Sequence, residues 1–82
     1  MRKSIHTAQY RTFLRELIQA REGVGVTQVE LAKRLRVGQS AISKVERGER
    51  RLDAVELYSW CRALKVPFRE FTARLDERLR GT

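Results

Sequence analysis

Between Gln39 and Arg47 the chain carries a side-chain amide, two hydroxyls and two cations: Gln39, Ser40, Ser43, Lys44 and Arg47. At helical pitch these five share one face, with Ala41, Ile42 and Val45 on the other. Amides and hydroxyls both donate and accept hydrogen bonds, and the cations donate, so the set can meet base edges and phosphate oxygens in a major groove. A glutamine can pair bidentately with adenine and a lysine can favour guanine, each contact contributing about 1 to 3 kcal/mol of discrimination. Gln39 and Lys44 are the leading base-reading candidates, followed by Ser40 and Ser43.

Other chemistries find no support. One cysteine, Cys61, and one histidine, His6, cannot fill a four-ligand zinc set. Cys61 falls on the apolar stripe of a helix and reads as a small buried hydrophobe, while His6 has no acidic relay near it in sequence. Gly23-Val24-Gly25 follows a helix rather than a strand and lacks a third glycine, so it reads as a helix stop rather than a nucleotide fingerprint. No nucleophile elbow or phosphate-binding loop is present. No enzymatic activity, cofactor, metal or small-molecule ligand is expected.

The bulk properties agree with a nucleic-acid partner. The 82 residues carry a formal net charge of +8, which favours anionic partners. Residues 1–25 hold five bases against two acids, 26–51 seven against three, and 52–82 six against five. The excess therefore sits in the first two thirds. The length bounds the chain to one domain with a small core. No stretch approaches the roughly 18 apolar residues of a membrane span, and the lone cysteine suits a reducing, cytoplasmic setting. Acids at Glu70, Asp76 and Glu77 interrupt the last helix's positive face, arguing against a membrane-surface role.

The elements that must position the polar face can be read from the periodicity. Tyr10, Phe13, Leu14, Leu17 and Ile18 form the inward stripe of a first helix, stopped by Gly23 and Gly25. Thr27 as cap, Glu30 reaching back and Val26 over Leu31 start a second helix at Gln28 that ends near Leu35. Arg36-Val37-Gly38 is a tight turn into a third helix, Gln39 to Arg47, closed by Gly48. Asp53, Glu56 and Leu52 over Leu57 start a fourth, whose inward stripe is Leu57, Trp60, Cys61 and Leu64. Pro67 opens a fifth, about 67–80, with Phe68, Phe71, Leu75 and Leu79 on one face. The fold class is all-α: residues 7–82 form one compact five-helix domain with a helix-turn-helix at 27–47, and residues 1–6, with Arg2 and Lys3, form a flexible basic arm.

The run from Val26 to Phe71 resembles the lambda-repressor-like (Xre/Cro) helix-turn-helix family. The matching positions are Gln28 opening the second helix, Ala32 where the two helices touch, Ile42 and Val45 in the core, and Glu46-Arg47-Gly48 after the third helix. Two helices crossing steeply through a three-residue turn need a small residue at the contact and an apolar wedge behind the second, and Ala32 and Ile42 supply them. The resemblance implies that Gln28 anchors a phosphate while Gln39 reads a base and steadies Gln28, with Ser40, Ser43 and Lys44 on the other reading positions. It also implies a structural ion pair between Arg21 and Glu46. Arg47, Arg50 and Arg51 are read as a phosphate clamp.

Together the polar face, the charge and the resemblance imply a transcriptional regulator, a repressor of bacterial or phage type, that occupies a double-stranded DNA operator. One copy reads only a few base pairs, so a homodimer on a palindrome is expected, with half-sites about 34 Å apart. Val55, Tyr58, Phe71, Leu75 and Leu79 are candidate dimer contacts, although the last three can equally cap the monomer's own core. The alternative is the DNA-binding antitoxin or controller subunit of a complex with another protein. Two departures from the family stand out: Arg36 and Lys65 occupy positions where glycine is common, and a left-handed backbone there costs a non-glycine residue of order 1 kcal/mol.

Overall fold

The computed structural model describes residues 7–82, and the expected basic arm, with Arg2, Lys3 and His6, lies outside them. Five helices follow in order: α1 Ala8–Gly23, α2 Gln28–Leu35, α3 Gln39–Glu46, α4 Ala54–Leu64 and α5 Phe68–Arg80. The described residues contain no strand.

Local signals set most helix ends. Thr7 caps α1 by accepting from the Tyr10 N–H. Thr27 and Glu30 close a reciprocal capping box on α2, and Asp53 and Glu56 repeat it on α4. Each box satisfies two backbone N–H groups that a helix start leaves without partners, and an N-cap of this kind contributes about 1 kcal/mol. The C-termini of α2 and α4 end on Arg36 and Lys65, both with φ 61° in the left-handed region. This conformation lets the Val37 and Val66 N–H groups reach back to the carbonyls of Ala32 and Cys61. Both positions therefore keep the left-handed turn that glycine usually serves, and the strain is carried by an arginine and a lysine.

The core is drawn from all five helices: Leu17, Leu31, Ile42, Val45, Trp60, Cys61, Leu64 and Phe71 are each at most 4% exposed. Ala32 is buried at the α2–α3 contact and Ile42 lies behind α3, which fixes the angle of the two-helix corner. The Arg34 guanidinium donates to the Ala63 carbonyl at 2.7 Å, tying α2 to the last turn of α4, where helix carbonyls run out of partners along their own chain.

Two expectations need correction. Phe71, a candidate dimer contact, is 2% exposed and sits in the core, with its ring edge-on to Phe13 at 6.4 Å. A side chain consumed in this way has no surface left to offer another chain. On α1, Leu14 and Leu17 are buried as expected, but Tyr10, Phe13 and Ile18 are only half-buried, whereas Thr12 and Glu16 are buried. Thr12 and Glu16 are buried because the end of α5 lies across their side of α1. Arg78 meets the Glu16 carboxylate at 3.2 Å, and the Thr12 and Thr82 hydroxyls lie 3.3 Å apart.

Candidate nucleic-acid interface

The outward face of α3 begins at its first turn. Gln39, Ser40 and Lys44 are exposed and Ser43 is half-buried, while Ile42 and Val45 on the opposite side are each 1% exposed. The apolar side chains thus clamp the helix, and the polar ones stand on its solvent side. Gly38 precedes α3 without a side-chain cap, and the Ala41 N–H turns back to the Gly38 carbonyl at 3.1 Å.

Beneath this face runs a line of hydrogen bonds. The Arg21 guanidinium forks onto Glu46, Nε to Oε2 at 2.7 Å and Nη2 to Oε1 at 3.0 Å. Its Nη1 donates to the Val26 carbonyl at 2.9 Å. The expected Arg21–Glu46 partners thus meet, with side chains only 9% and 5% exposed. The hydrogen bonds that Arg21 donates to Glu46 outweigh burial and hold its guanidinium above its ordinary pKa, with the nearby charges of Glu46 and Glu22 adding to this. Glu46 then accepts from Gln28 Nε2 at 2.9 Å, and Gln28 Oε1 accepts from Gln39 Nε2 at 3.1 Å. Gln28 and Gln39 therefore stand together as expected from the resemblance, and the Glu46–Gln28 link is an addition that sequence reasoning missed. Periodicity offers no signal for a contact between the start of one helix and the end of another.

A helix-turn-helix family model matches residues 17–71, which spans the corner and the helices that brace it. The chain belongs to the XRE-type helix-turn-helix family. A solved XRE-family like protein from Pseudomonas syringae pv. tomato str. DC3000 is 40% identical, with a TM-score of 0.81 over 90% of each chain. No curated protein matches. Membership makes this chain a DNA-binding regulator whose partner is double-stranded DNA.

In this XRE-family member the three expected phosphate cations sit around the end of α3 and the loop into α4, each with an internal acceptor. Arg47 forks onto Glu49 at 2.8 and 3.2 Å and also donates to the Ser43 hydroxyl. Arg50 meets Glu56 at 2.7 Å. The guanidinium of Arg51 lies 4.6 Å above the Tyr10 ring, joining this loop to the start of α1. The hydrogen bond from Arg47 holds the Glu49 carboxylate below its ordinary pKa. These ion pairs are largely solvent-exposed, with Arg47 and Arg50 side chains 55% and 51% exposed, so exchanging a carboxylate for a phosphate costs little. Glu49 as the partner of Arg47 was not foreseen, because it lies beyond the helix where no spacing rule applies.

The remaining dimer candidates divide into two patches. Val55 is 74% exposed on α4, and Tyr58 beside it is 45% exposed, its ring edge-on to Phe68 at 5.6 Å. Leu75 and Leu79 are half-buried and line a groove of about 290 Å³ with Tyr10, Phe13 and Arg51. Among the described residues no group of histidines, cysteines and acids could hold a metal ion, and no helix is long and apolar enough to cross a membrane.

Proposed function

We propose that this protein is a transcriptional repressor that binds an operator with α3 in the major groove. The observation that carries the reading is the outward amide of Gln39, bonded to Gln28 and held at the tip of a corner whose other side is packed into the core. Gln39, Ser40, Ser43 and Lys44 read base edges, and Gln28, Arg47, Arg50 and Arg51 hold the backbone on either side. On DNA, Arg47 and Arg50 exchange Glu49 and Glu56 for phosphate oxygens, an exchange that an exposed pair allows. Val55 and Tyr58 meet a second copy of the chain, with Leu75 and Leu79 extending that surface, and the two copies occupy a palindrome.

Selection of bound sequences from a random duplex pool tests specificity, symmetry and spacing together. The expected product is an inverted repeat with half-site centres about one helical turn apart. A pool that emerges without any preferred sequence would sink the proposal. Sedimentation of the purified chain alone separates a homodimer from a subunit that assembles only with a different protein. Binding should also weaken steeply with salt, by roughly 10³ to 10⁵ between 50 and 200 mM for a dimer making about 6 to 10 phosphate contacts.

A further inference from the structure

We infer that Glu46 is a positioning residue for base recognition: its buried carboxylate sets, through Gln28, which way round the Gln39 amide is presented to DNA. The inference rests on the reading of Gln39 as a base-contacting residue and goes beyond it by naming what controls the contact.

Donors and acceptors must alternate along the line from Arg21 to Gln39. Glu46 receives two hydrogen bonds from Arg21, one on each oxygen, and as a carboxylate it can only accept. Gln28 therefore has to turn its NH₂ toward Glu46, at 2.9 Å. That leaves the carbonyl oxygen of Gln28 facing α3, where it can only accept, so Gln39 has to turn its own NH₂ toward it, at 3.1 Å. An isolated glutamine amide exchanges its nitrogen and oxygen ends freely, and a pair of glutamines can hydrogen-bond in either sense. Here a single charge at the buried end removes the ambiguity at both links. Arg21 and Glu46 are each 8% exposed, so water does not compete for the carboxylate as it would at the surface.

At the exposed end, Gln39 retains its carbonyl oxygen and one N–H in a fixed spatial order. Adenine presents the acceptor N7 beside the donor N6–H₂, which matches that order in one orientation of the base pair only. Guanine presents two acceptors, N7 and O6, and pairs with an amide only through its NH₂ side. Fixing the amide therefore favours adenine over guanine and fixes the strand on which the adenine lies. The Arg21–Glu46 pair thus does more than fasten α1 to α3: the same carboxylate acts on specificity from within the domain.

The test uses the duplex that the wild-type chain selects from a random pool, and its variants with each base pair replaced at the Gln39 position. Wild type is expected to prefer one base pair there by roughly tenfold or more. Glu46→Gln, whose amide can donate as well as accept, is expected to bring adenine and guanine duplexes within about threefold of each other while preferences at the Lys44 position persist. Gln28→Met cuts the line at its middle link with the Arg21–Glu46 pair intact, and serves where loss of the buried charge unfolds the domain. It is expected to give the same local loss of preference. In the free protein, the side-chain amide NMR signals of Gln39 should move on Glu46→Gln, although Gln28 stands between the two residues.

If Gln39→Ala erases the preference and both Glu46→Gln and Gln28→Met leave it intact, the positioning role is overturned and the base-reading role stands. If Gln39→Ala changes no base preference, both are overturned. A uniform loss of affinity on all duplexes in Glu46→Gln, with unmoved Gln39 amide signals, assigns Glu46 to stability alone and also overturns the inference.

Discussion

Arg36→Gly should stabilise the domain. Arg36 ends α2 with φ 61° and ψ 44°, a left-handed conformation that crowds Cβ against the neighbouring carbonyl. That crowding costs an L-residue about 1 to 2 kcal/mol, and glycine removes it. Against this, glycine gains freedom in the unfolded chain, which offsets about 0.4 to 1 kcal/mol. Arg36 is exposed, so its side chain takes no packing with it when replaced. The net expectation is a gain of about 0.5 to 1 kcal/mol, which in a domain of this size raises Tm by roughly 2 to 8 °C. Arg36→Ala is the necessary companion, since it removes the same charge and side chain while keeping Cβ. Thermal and urea unfolding followed by circular dichroism should place the glycine variant above both wild type and the alanine variant. A glycine variant that melts at or below the alanine variant would refute the assignment of strain to this turn.

Lys44→Ala should blur preference at one base pair, whereas Arg50→Ala should weaken selected and random duplexes alike; identical behaviour of the two would undo the division between reading and anchoring residues. Glu30 and Glu56 lie below the ordinary value of 4.5, chiefly because the backbone N–H groups of Thr27 and Asp53 donate to them. Their contribution is therefore complete above about pH 5 and disappears as the pH falls through their lower folded values. Urea midpoints measured from pH 6 to pH 2 should fall less steeply in a Glu30→Gln, Glu56→Gln double variant than in wild type. Burial pushes the Cys61 thiol up to about 11 from 9.0, so stability should decline as the pH rises from near 9 toward 11, and a Cys61→Ala variant should lack that part of the decline. At neutral pH an aromatic disulfide reagent should modify Cys61 only at the rate at which the domain opens, and rapid modification of the native state would contradict its burial.

Features governed by neighbours along the chain are legible in the sequence. Thr27 with Glu30 and Asp53 with Glu56 carry their capping information within four residues, so the starts of α2 and α4 follow from spacing alone. The outward set from Gln39 to Lys44 follows equally from helical pitch once Ile42 and Val45 are assigned inward. Features that depend on distant packing are not legible there. A polar residue at position 16 reads as solvent-facing until α5 is laid over it, and Phe71 reads as a spare apolar residue until Phe13 is seen against it. The left-handed turns at Arg36 and Lys65 show the intermediate case. Their positions followed from the family pattern, but whether the backbone would keep its shape without glycine depended on the carbonyls of Ala32 and Cys61 being there to receive the next N–H.

The strap that α5 lays across α1 also bears on truncation. Thr12 and Thr82 lie 70 positions apart in the chain yet face one another. The side of α1 that carries Phe13 is therefore covered by the helix farthest from it in the chain. A product that stops after α4 keeps the α2–α3 corner but leaves Phe13 without the Phe71 ring against it, and a protease should cut it faster than the full chain.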